Sequence, residues 1–308
     1  MRSIVLCGHN KCGTRWLAGV IAGSSTLRLV SPEGRGLTEA DISDDGVDRL
    51  RTLVAASPVP VLLDFPHAIQ NEATLAALKR IDPEMAAIVI YREPVDVMLS
   101  MHNYQRWSYQ NGQLYGTPSR LKVDRRVRDD DLADAIIDGP LRAQYEDLYR
   151  YDCNARRLRA FFSRHHEALY DDLCEAPGRF VQAVFVFCGA VPDVEVSAER
   201  VNRSLAVRSW FLDRLISKSF FMLTGMNSRA LYDHYKTGKL RGSPYRFLLR
   251  LNDKPAHFLK AGERQRLKDF FAPMVQEFFA VSGLDLRQWG YPVDARDEGP
   301  HQAEGASG

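Results

Sequence analysis

Short apolar runs recur along the first hundred residues, and stretches with helical spacing of apolar residues lie between them. The runs at 3–8, 59–63 and 86–91 predict strands. The intervening stretches predict three helices, at 13–23, 47–56 and 74–80. Strands that alternate with helices at this spacing are typical of a parallel sheet with helices on its faces. The pattern therefore predicts an α/β fold with three layers, α/β/α, around a central parallel sheet.

The middle of the chain has a less regular pattern. Residues 105–140 mix aromatic residues with glycine and contain a charge run at 120–131, which indicates either the lining of a substrate cleft or a solvated face. Residues 141–162 predict one long amphipathic helix. His165 and His166 follow it and are interpreted as its C-terminal end, where a partial positive charge is favourable.

The last hundred residues contain one segment of mixed character and a polar end. Residues 205–255 combine aromatic with basic residues, a pattern that suits a lid, an acceptor-binding element, a membrane-surface helix or ordinary core packing. Residues 293–308 contain few apolar residues and predict a disordered tail. We therefore expect a single domain over residues 1–292.

Composition and charge are those of an ordinary globular protein. The chain has 308 residues, of which 45% are hydrophobic and 26% charged, and its formal net charge of +2 argues against a strong nucleic-acid binder. Five cysteines without a CxxC spacing indicate reduced thiols, and we expect no metal site. The longest apolar stretch, near 181–191, is too short to span a membrane, and no signal-peptide pattern is visible. We expect a cytoplasmic protein without stable membrane insertion, and the oligomeric state is not indicated.

The first candidate site is the turn after the first predicted strand. Gly8 and Gly13 delimit the turn, Lys11 lies inside it, and helical spacing begins at Thr14. In such a strand–turn–helix unit, backbone N–H groups and a helix N-terminus converge on a phosphate. The glycine spacing is that of a nucleotide P-loop, but Thr14 and Arg15 stand where that motif has Lys and Ser or Thr. The turn therefore predicts a phosphate site for a ligand other than Mg-ATP; the alternative is a tight turn with an exposed lysine.

The second candidate site follows the strand predicted at 86–91. Arg92 comes directly after this strand, and Pro94 and Asp96 suit the first turn of a helix. Ser100 lies further along the same predicted helix. A guanidinium supplies a two-pronged donor and a hydroxyl supplies a single donor, so Arg92 and Ser100 can converge on one phosphate.

Both segments resemble the signature motifs of sulfotransferases that use 3′-phosphoadenosine 5′-phosphosulfate (PAPS). The first motif of that family reads approximately P-K-[SCA]-G-[ST]-[ST]-[WLF] and is similar to residues 10–16. The second reads approximately R-x-P-x-[DE]-x-x-x-S and matches residues 92–100 at every fixed position. The resemblance extends over most of residues 1–290. Further similar segments lie at 169–177, 180–189, 201–204 and 260–289.

This resemblance implies a sulfotransferase with the P-loop-like fold of that family, with PAPS as co-substrate and no metal. It implies that the first motif holds the 5′-phosphosulfate, with Lys11 at the sulfuryl group, and that the second motif holds the 3′-phosphate. The implied PAPS-binding residues are Asn10, Lys11, Cys12, Gly13, Thr14, Arg15, Trp16, Arg92, Ser100 and Arg241. Arg241 is included because it is similar to a basic segment that closes over the 3′-phosphate in some relatives. The implied acceptor is a small molecule or a glycan, with a carbohydrate or glycoconjugate hydroxyl favoured.

The chain departs from the family pattern in three places. His9 and Asn10 replace the usual proline before the lysine. Arg15 replaces a second hydroxyl residue, so a bulky cation stands where a small phosphate ligand is expected. Residues 63–67 stand where relatives carry a lysine-rich element with catalytic groups. The last departure leaves the base that activates the acceptor to be assigned from other residues.

The base is assigned from residues near the predicted edge of the sheet. Ligands of parallel sheets bind at the carboxyl ends of the strands, where Asp64 and His67 fall. We place the base on His67, because imidazole has suitable basicity near neutral pH, with Asp64 as its orienter or as the alternative base. A carboxylate of the charge run at 120–131 is the remaining alternative.

Two other functions stay open on the sequence. A P-loop kinase of a small molecule would share the glycine-bounded turn, although Thr14 and Arg15 disfavour it and a kinase has no use for the motif at 92–100. A catalytically inactive binding protein on the same fold would explain Arg15 and the absence of a lysine near Asp64.

Overall fold

A five-stranded parallel sheet forms the centre of the fold. In chain order its strands are β1 (Ser3–Leu6), β2 (Arg28–Val30), β3 (Val61–Asp64), β4 (Ala86–Tyr91) and β5 (His165–Leu169). They lie side by side in the order β2-β3-β1-β4-β5, and every neighbouring pair is parallel. Every residue of β1, β3 and β4 is buried, because helices cover the faces of the sheet. The predicted three-layer α/β/α fold with a central parallel sheet is confirmed.

The computed structural model of the protein describes most of the chain. The described residues are 3–9, 11–32, 36–103, 132–139, 142, 150–196, 206–207, 210–226, 231, 234–235, 239–254, 259 and 261–291. The α-helices among them are α1 (Thr14–Ile21), α2 (Asp44–Ala56), α3 (Glu72–Ile81), α4 (94–103), α5 (Leu132–Ile137), α6 (Tyr151–Phe161), α7 (Tyr170–Glu175), α8 (Pro177–Cys188), α9 (Trp210–Thr224), α10 (Pro244–Asn252) and α11 (Ala261–Ser282). Short 3-10 helices are found at Glu39–Ile42, Ala68–Gln70 and Arg287–Trp289. A second, antiparallel pair joins β6 (Ala206–Val207) to β7 (Asp253–Lys254).

Local signals in the sequence explain where several helices begin and end. The Asn71 side chain accepts hydrogen bonds from the N–H groups of Ala73 and Thr74, at 2.9 and 3.3 Å, and so caps α3. Pro177 is the first residue of α8, where its missing N–H leaves no helical hydrogen bond unmade. Gly189, with φ 70°, ends the same helix in the left-handed conformation that glycine adopts without strain.

Apolar side chains pack into two separate clusters. The larger one lies between the sheet and its helices and includes every apolar residue of β1, β3 and β4. The smaller one lies between α9 and α10, and its fully buried members are Ile216, Phe220, Leu231, Leu240 and Leu249. Within the described part of the chain, no helix is long and apolar enough to cross a bilayer.

Two predictions of secondary structure need correction, and one strand was missed. The single helix predicted over 141–162 is wrong, because Arg150 has a non-helical backbone, with φ −68° and ψ 68°, and α6 begins after it. His165 and His166 do not end a helix but begin β5, where they pair with Ala87 and Ile88 of β4. Strand β2 was not predicted, because its three residues are too few to show a periodicity.

Several predictions fall on segments outside the described residues. These segments are the charge run at 120–131, most of the aromatic stretch at 105–140, the segment at 201–204 and the tail at 293–308. The division of the chain into one domain over 1–292 stays a prediction.

Candidate phosphate-binding site

The turn between β1 and α1 has a backbone conformation suited to an anion. Lys11 has φ 67° and Gly13 has φ 87°, both in the left-handed region, and Gly13 is the N-cap of α1. Glycine has no side chain with which to cap α1 at this end. The N–H groups of a first helical turn have no partner within the helix, so those of α1 point towards the turn. Left-handed residues beside a helix N-terminus form a concavity that binds anions.

Gly13 is required in this turn for packing as well as for its positive φ. A Cβ atom at this position would lie 3.1 Å from the Tyr170 ring and 3.1 Å from the Leu173 side chain. The turn therefore rests directly on α7. A larger residue at position 13 would both strain the backbone and push the turn away from this helix.

Arg92 joins the end of β4 to the turn. Its Nη1 donates a hydrogen bond to the carbonyl oxygen of Lys11 at 3.1 Å, although the two residues are 81 positions apart. The guanidinium carbon lies 4.4 Å from the centre of the Tyr170 ring, a cation–π contact that holds the group in place. The Nε of Arg92 is buried and has no hydrogen-bond acceptor among the described residues, whereas buried donors are normally paired. The structure thus brings the two predicted motifs into direct contact.

Glu93 fixes the start of the helix that follows Arg92. Its carboxylate accepts hydrogen bonds from the N–H groups of Val95 and Asp96, at 3.1 and 2.8 Å, and so caps α4. The Tyr291 hydroxyl donates to it at 2.6 Å and Arg264 at 3.1 Å. The pKa of Glu93 is raised, mainly because the carboxyl group is buried. Sequence reasoning missed this residue, which could have been found as a carboxylate just before a proline at a helix start.

Asp64 lies at the carboxyl end of β3, next to the same turn. It is in register with Leu6 of β1, and the Ser31 hydroxyl donates a hydrogen bond to its Oδ2 at 2.7 Å. Its Oδ1 is buried without a donor among the described residues. Burial raises the pKa of Asp64, while the Ser31 hydrogen bond and the positive charge of Arg15 lower it. Arg15 therefore provides a cation near the strand end that lacks the expected lysine.

His67 approaches the turn through its backbone. It has φ 73°, and its N–H donates a hydrogen bond to the carbonyl oxygen of Gly8 at 3.2 Å. Burial lowers the pKa of the half-buried imidazole, so the neutral form dominates at neutral pH. No hydrogen bond joins the side chains of His67 and Asp64 in the described part of the chain. The role of Asp64 as orienter of His67 stays a prediction without a direct contact.

Buried aromatic and polar side chains support the turn from behind. His9, which replaces the usual proline, is buried, and its ring centre lies 4.4 Å from that of Tyr151. Its Nε2 lies 3.4 Å from Nδ2 of Asn154 on α6. Burial raises the pKa of the Cys12 thiol to about 12. Cys12 is therefore a neutral packing residue under the turn rather than a nucleophile.

The remaining predicted residues of the first motif differ in exposure. Thr14 is the first residue of α1 and is buried, and Trp16 is half-buried against the main core. Arg15 is exposed. Asn10 lies outside the described residues. Of these, only Thr14 combines a place at the helix N-terminus with a hydroxyl donor.

The remaining predicted residues of the 3′-phosphate site lie on two different elements. Ser100 is partly exposed in the second turn of α4. Arg241 is exposed in a turn before α10, beside the smaller apolar cluster. Its part in the site stays a prediction.

Together these groups provide two cationic points at one edge of the sheet. Lys11 with the turn N–H groups is the first point, and Arg92, whose Nε has no acceptor among the described residues, is the second. They follow neighbouring strands, β1 and β4, and such donors suit phosphate and sulfate oxygens. Among the residues that the structure describes, no group of three or more His, Cys, Asp or Glu side chains could hold a metal ion.

The arrangement of elements is similar to that of solved sulfotransferases. The crystal structure of a sulfotransferase from Alicyclobacillus acidocaldarius matches with a TM-score of 0.55 and 15% sequence identity, over 94% of this chain and 99% of that chain. The chain has a sulfotransferase fold. The P-loop-like fold implied by the sequence resemblance is therefore confirmed.

Other comparisons give weaker likenesses. A mouse sulfotransferase, SULT7A1, complexed with PAP, matches with a TM-score of 0.37 and 17% identity, over 64% of this chain and 59% of that chain. A sulfotransferase domain from the curacin biosynthetic pathway matches with a TM-score of 0.37 and 13% identity, over 62% of this chain and 75% of that chain. No model of a protein family matches the sequence, and no curated protein matches it.

Proposed function

We propose that the protein is a sulfotransferase that moves a sulfuryl group from PAPS to a hydroxyl of an acceptor. The observation that carries this proposal is the 3.1 Å hydrogen bond from Arg92 to the carbonyl oxygen of Lys11, which joins two predicted phosphate sites at the ends of β1 and β4. PAPS carries a 3′-phosphate and, on its 5′-phosphate, the activated sulfuryl group that such enzymes transfer. The sulfotransferase fold supports the proposal, because it accounts for both motifs on one sheet edge.

Lys11 and the turn are proposed to hold the 5′-phosphosulfate end. The left-handed Lys11 and Gly13 and the N-terminus of α1 form a cradle for anionic oxygens. Thr14 adds a hydroxyl at the first helical position. A lysine charge in this place stabilises the negative charge that grows on a leaving phosphate.

Arg92 and Ser100 are proposed to hold the 3′-phosphate, with Arg241 as a further cation. Arg92 is already fixed by its contacts to Lys11 and Tyr170, so little conformational entropy remains to be lost on binding. Its buried Nε, which has no acceptor in the described part of the chain, is the feature of this structure that favours an anionic ligand at this point.

His67 is proposed as the base that takes the proton of the acceptor hydroxyl, with Asp64 as the alternative. The lowered pKa of His67 keeps the imidazole neutral and able to accept a proton at neutral pH. The raised pKa of Asp64 makes its carboxylate a stronger base than a free aspartate. The proposed acceptor is a carbohydrate or glycoconjugate hydroxyl, on the likeness at 260–289 and the aromatic residues at 105–140. A cytoplasmic location is likewise proposed.

Two measurements test the function. Isothermal titration should show binding of adenosine 3′,5′-bisphosphate and much weaker binding of ATP, because ATP has no 3′-phosphate for Arg92. Label transfer from PAPS to a panel of carbohydrate and small-molecule acceptors should then show turnover. Preference for ATP would support a kinase instead, and bisphosphate binding without transfer to any acceptor would indicate an inactive binding protein.

A further inference from the structure

Helices α9 and α10 form an amphipathic pair in the segment between β6 and β7. Their inward faces pack against each other around the smaller apolar cluster, with Ile216 and Phe220 on α9 and Leu249 on α10 fully buried. The opposite faces of both helices therefore lie on the outside of the pair. These outward faces are called the outer surface below.

The segment that contains α9 and α10 carries an unusual concentration of exposed apolar side chains. Seven of the nine large hydrophobic residues that are exposed in the described part of the chain lie between positions 215 and 251. They are Leu215, Phe221, Met222, Leu223, Met226, Phe247 and Leu251, with exposed fractions from 42% to 77%. Phe247 and Leu251 are four residues apart and so form one ridge along α10. A concentration of exposed apolar side chains in one short segment marks a site of interaction.

Positive charge is concentrated in the same segment. Residues 206–254 contain ten Lys and Arg residues and three Asp residues, a net charge of +7, whereas the whole chain carries +2 and the rest of it therefore −5. The exposed cations with described side chains are Lys218, Lys239, Arg241, Arg246 and Arg250. No described carboxylate forms an ion pair with any of them. Arg246 and Arg250 are also four residues apart, so they lie together along one side of the ridge of Phe247 and Leu251.

We propose that the outer surface of α9 and α10 binds peripherally to anionic lipid membranes. Apolar side chains beside Lys and Arg on the same helices suit the boundary between acyl chains and anionic headgroups. Nucleic acid would use the cations but would leave the Leu and Met side chains in water, and an acidic protein segment would leave most of the exposed apolar area uncovered. No described helix can span a bilayer, so the contact is one of surface binding. This proposal is independent of sulfuryl transfer.

Vesicle co-sedimentation of the full chain tests the proposal. Vesicles of phosphatidylcholine with phosphatidylglycerol should bind the protein, pure phosphatidylcholine should bind it much less, and high salt should reduce binding because it screens the charges. Arg246→Gln/Arg250→Gln should weaken binding about 30-fold, since each basic residue near an anionic surface contributes roughly fivefold. Phe247→Ser/Leu251→Ser should weaken it at least about tenfold, because two apolar side chains no longer enter the interface.

A matched control distinguishes this surface from exposed residues in general. Arg179 and Val186 are exposed on α8, seven residues apart on one helix face, so Arg179→Gln/Val186→Ser removes one cation and one apolar side chain elsewhere. This variant should bind vesicles as the wild type does, and the far-ultraviolet circular dichroism of all variants should be unchanged. Equal binding to both kinds of vesicle, binding only to RNA or to an acidic polypeptide, or full vesicle binding by both α10 variants would overturn the proposal.

Discussion

Replacement of Arg92 by alanine should selectively weaken binding of a ligand that carries a 3′-phosphate. Arg92 donates one hydrogen bond to the Lys11 carbonyl at 3.1 Å, stacks on Tyr170 at 4.4 Å, and keeps a buried Nε without a described acceptor. The guanidinium is therefore fixed in place and still has donors for an anion. A charge-assisted hydrogen bond contributes roughly 1.5–3 kcal/mol, which corresponds to about 10- to 150-fold in affinity.

The assay is isothermal titration with adenosine 3′,5′-bisphosphate and with 5′-AMP. Arg92→Ala should lose the stated factor for the bisphosphate and much less for 5′-AMP, because only the bisphosphate carries the group that Arg92 is proposed to bind. Arg92→Lys should recover part of the loss, since lysine keeps the charge but not the two-pronged geometry. Arg51→Ala, which removes an exposed arginine on α2 that is 2.8 Å from Asp48, should change neither affinity.

One result would refute this reasoning. If Arg92→Ala weakened both ligands by the same factor, the guanidinium would act only through the Lys11 carbonyl, as a support for the turn. Tyr170→Leu provides a second check, because it removes the ring under the guanidinium and the wall against Gly13 together. It should weaken both ligands, since the turn itself rests on this ring.

Three further predictions concern turnover and stability. Lys11→Ala should lower the steady-state rate with labelled PAPS about a hundredfold or more, roughly 3 kcal/mol, because a leaving phosphate loses its cation. His67→Ala and Asp64→Asn should each lower that rate while leaving adenosine 3′,5′-bisphosphate affinity nearly unchanged. Asp152→Asn should lower the free energy of unfolding in urea. Burial alone would raise the pKa of Asp152, but hydrogen bonds, first that of Arg150, lower this pKa from 3.8 to about 2 in the folded protein. The ionised carboxylate therefore stabilises the folded state by about 2 kcal/mol relative to the protonated one. This stability is present above pH 4 and is lost as the pH falls towards 2.

Each of these predictions has a result that contradicts it. Unchanged turnover of a folded Lys11→Ala variant would remove Lys11 from the reaction. Full turnover by both His67→Ala and Asp64→Asn would place the base elsewhere, with the charge run at 120–131 as the next region to test. If Asp152→Asn unfolded at the same urea concentration as the wild type at pH 7, the ion pair with Arg150 would contribute no net stability.

Several features of this protein were predictable from short stretches of sequence. The strand at 86–91 was predicted with the bounds that the structure has, and Pro94 begins the helix after it. The turn at Gly13 was predicted from glycine spacing, because only a few neighbouring residues decide whether a strand ends and a helix starts. The two motifs predicted to bind phosphate are also local patterns, so they can be recognised in the sequence alone.

The secondary structure was mispredicted where it depends on contacts with residues distant in the sequence. His165 and His166 lie in β5, an edge strand that is only partly buried, so they show no apolar run. The apolar spacing over 141–162 continues across Arg150, although the backbone there is not helical. Periodicity reports which side chains are buried but not whether the backbone between them is continuous.

The composition of the site was decided by the tertiary structure. Arg92 meets Lys11 because β4 pairs with β1, and Asp64 adjoins the same turn because β3 pairs with β1 on its other side. The cap formed by Glu93 depends further on Tyr291, at the other end of the described chain. Strand order is set by the packing of the whole sheet and its helices rather than by any one segment. The sequence by itself therefore determined the two motifs that are predicted to bind phosphate, and the order of the strands determined which side chains surround them.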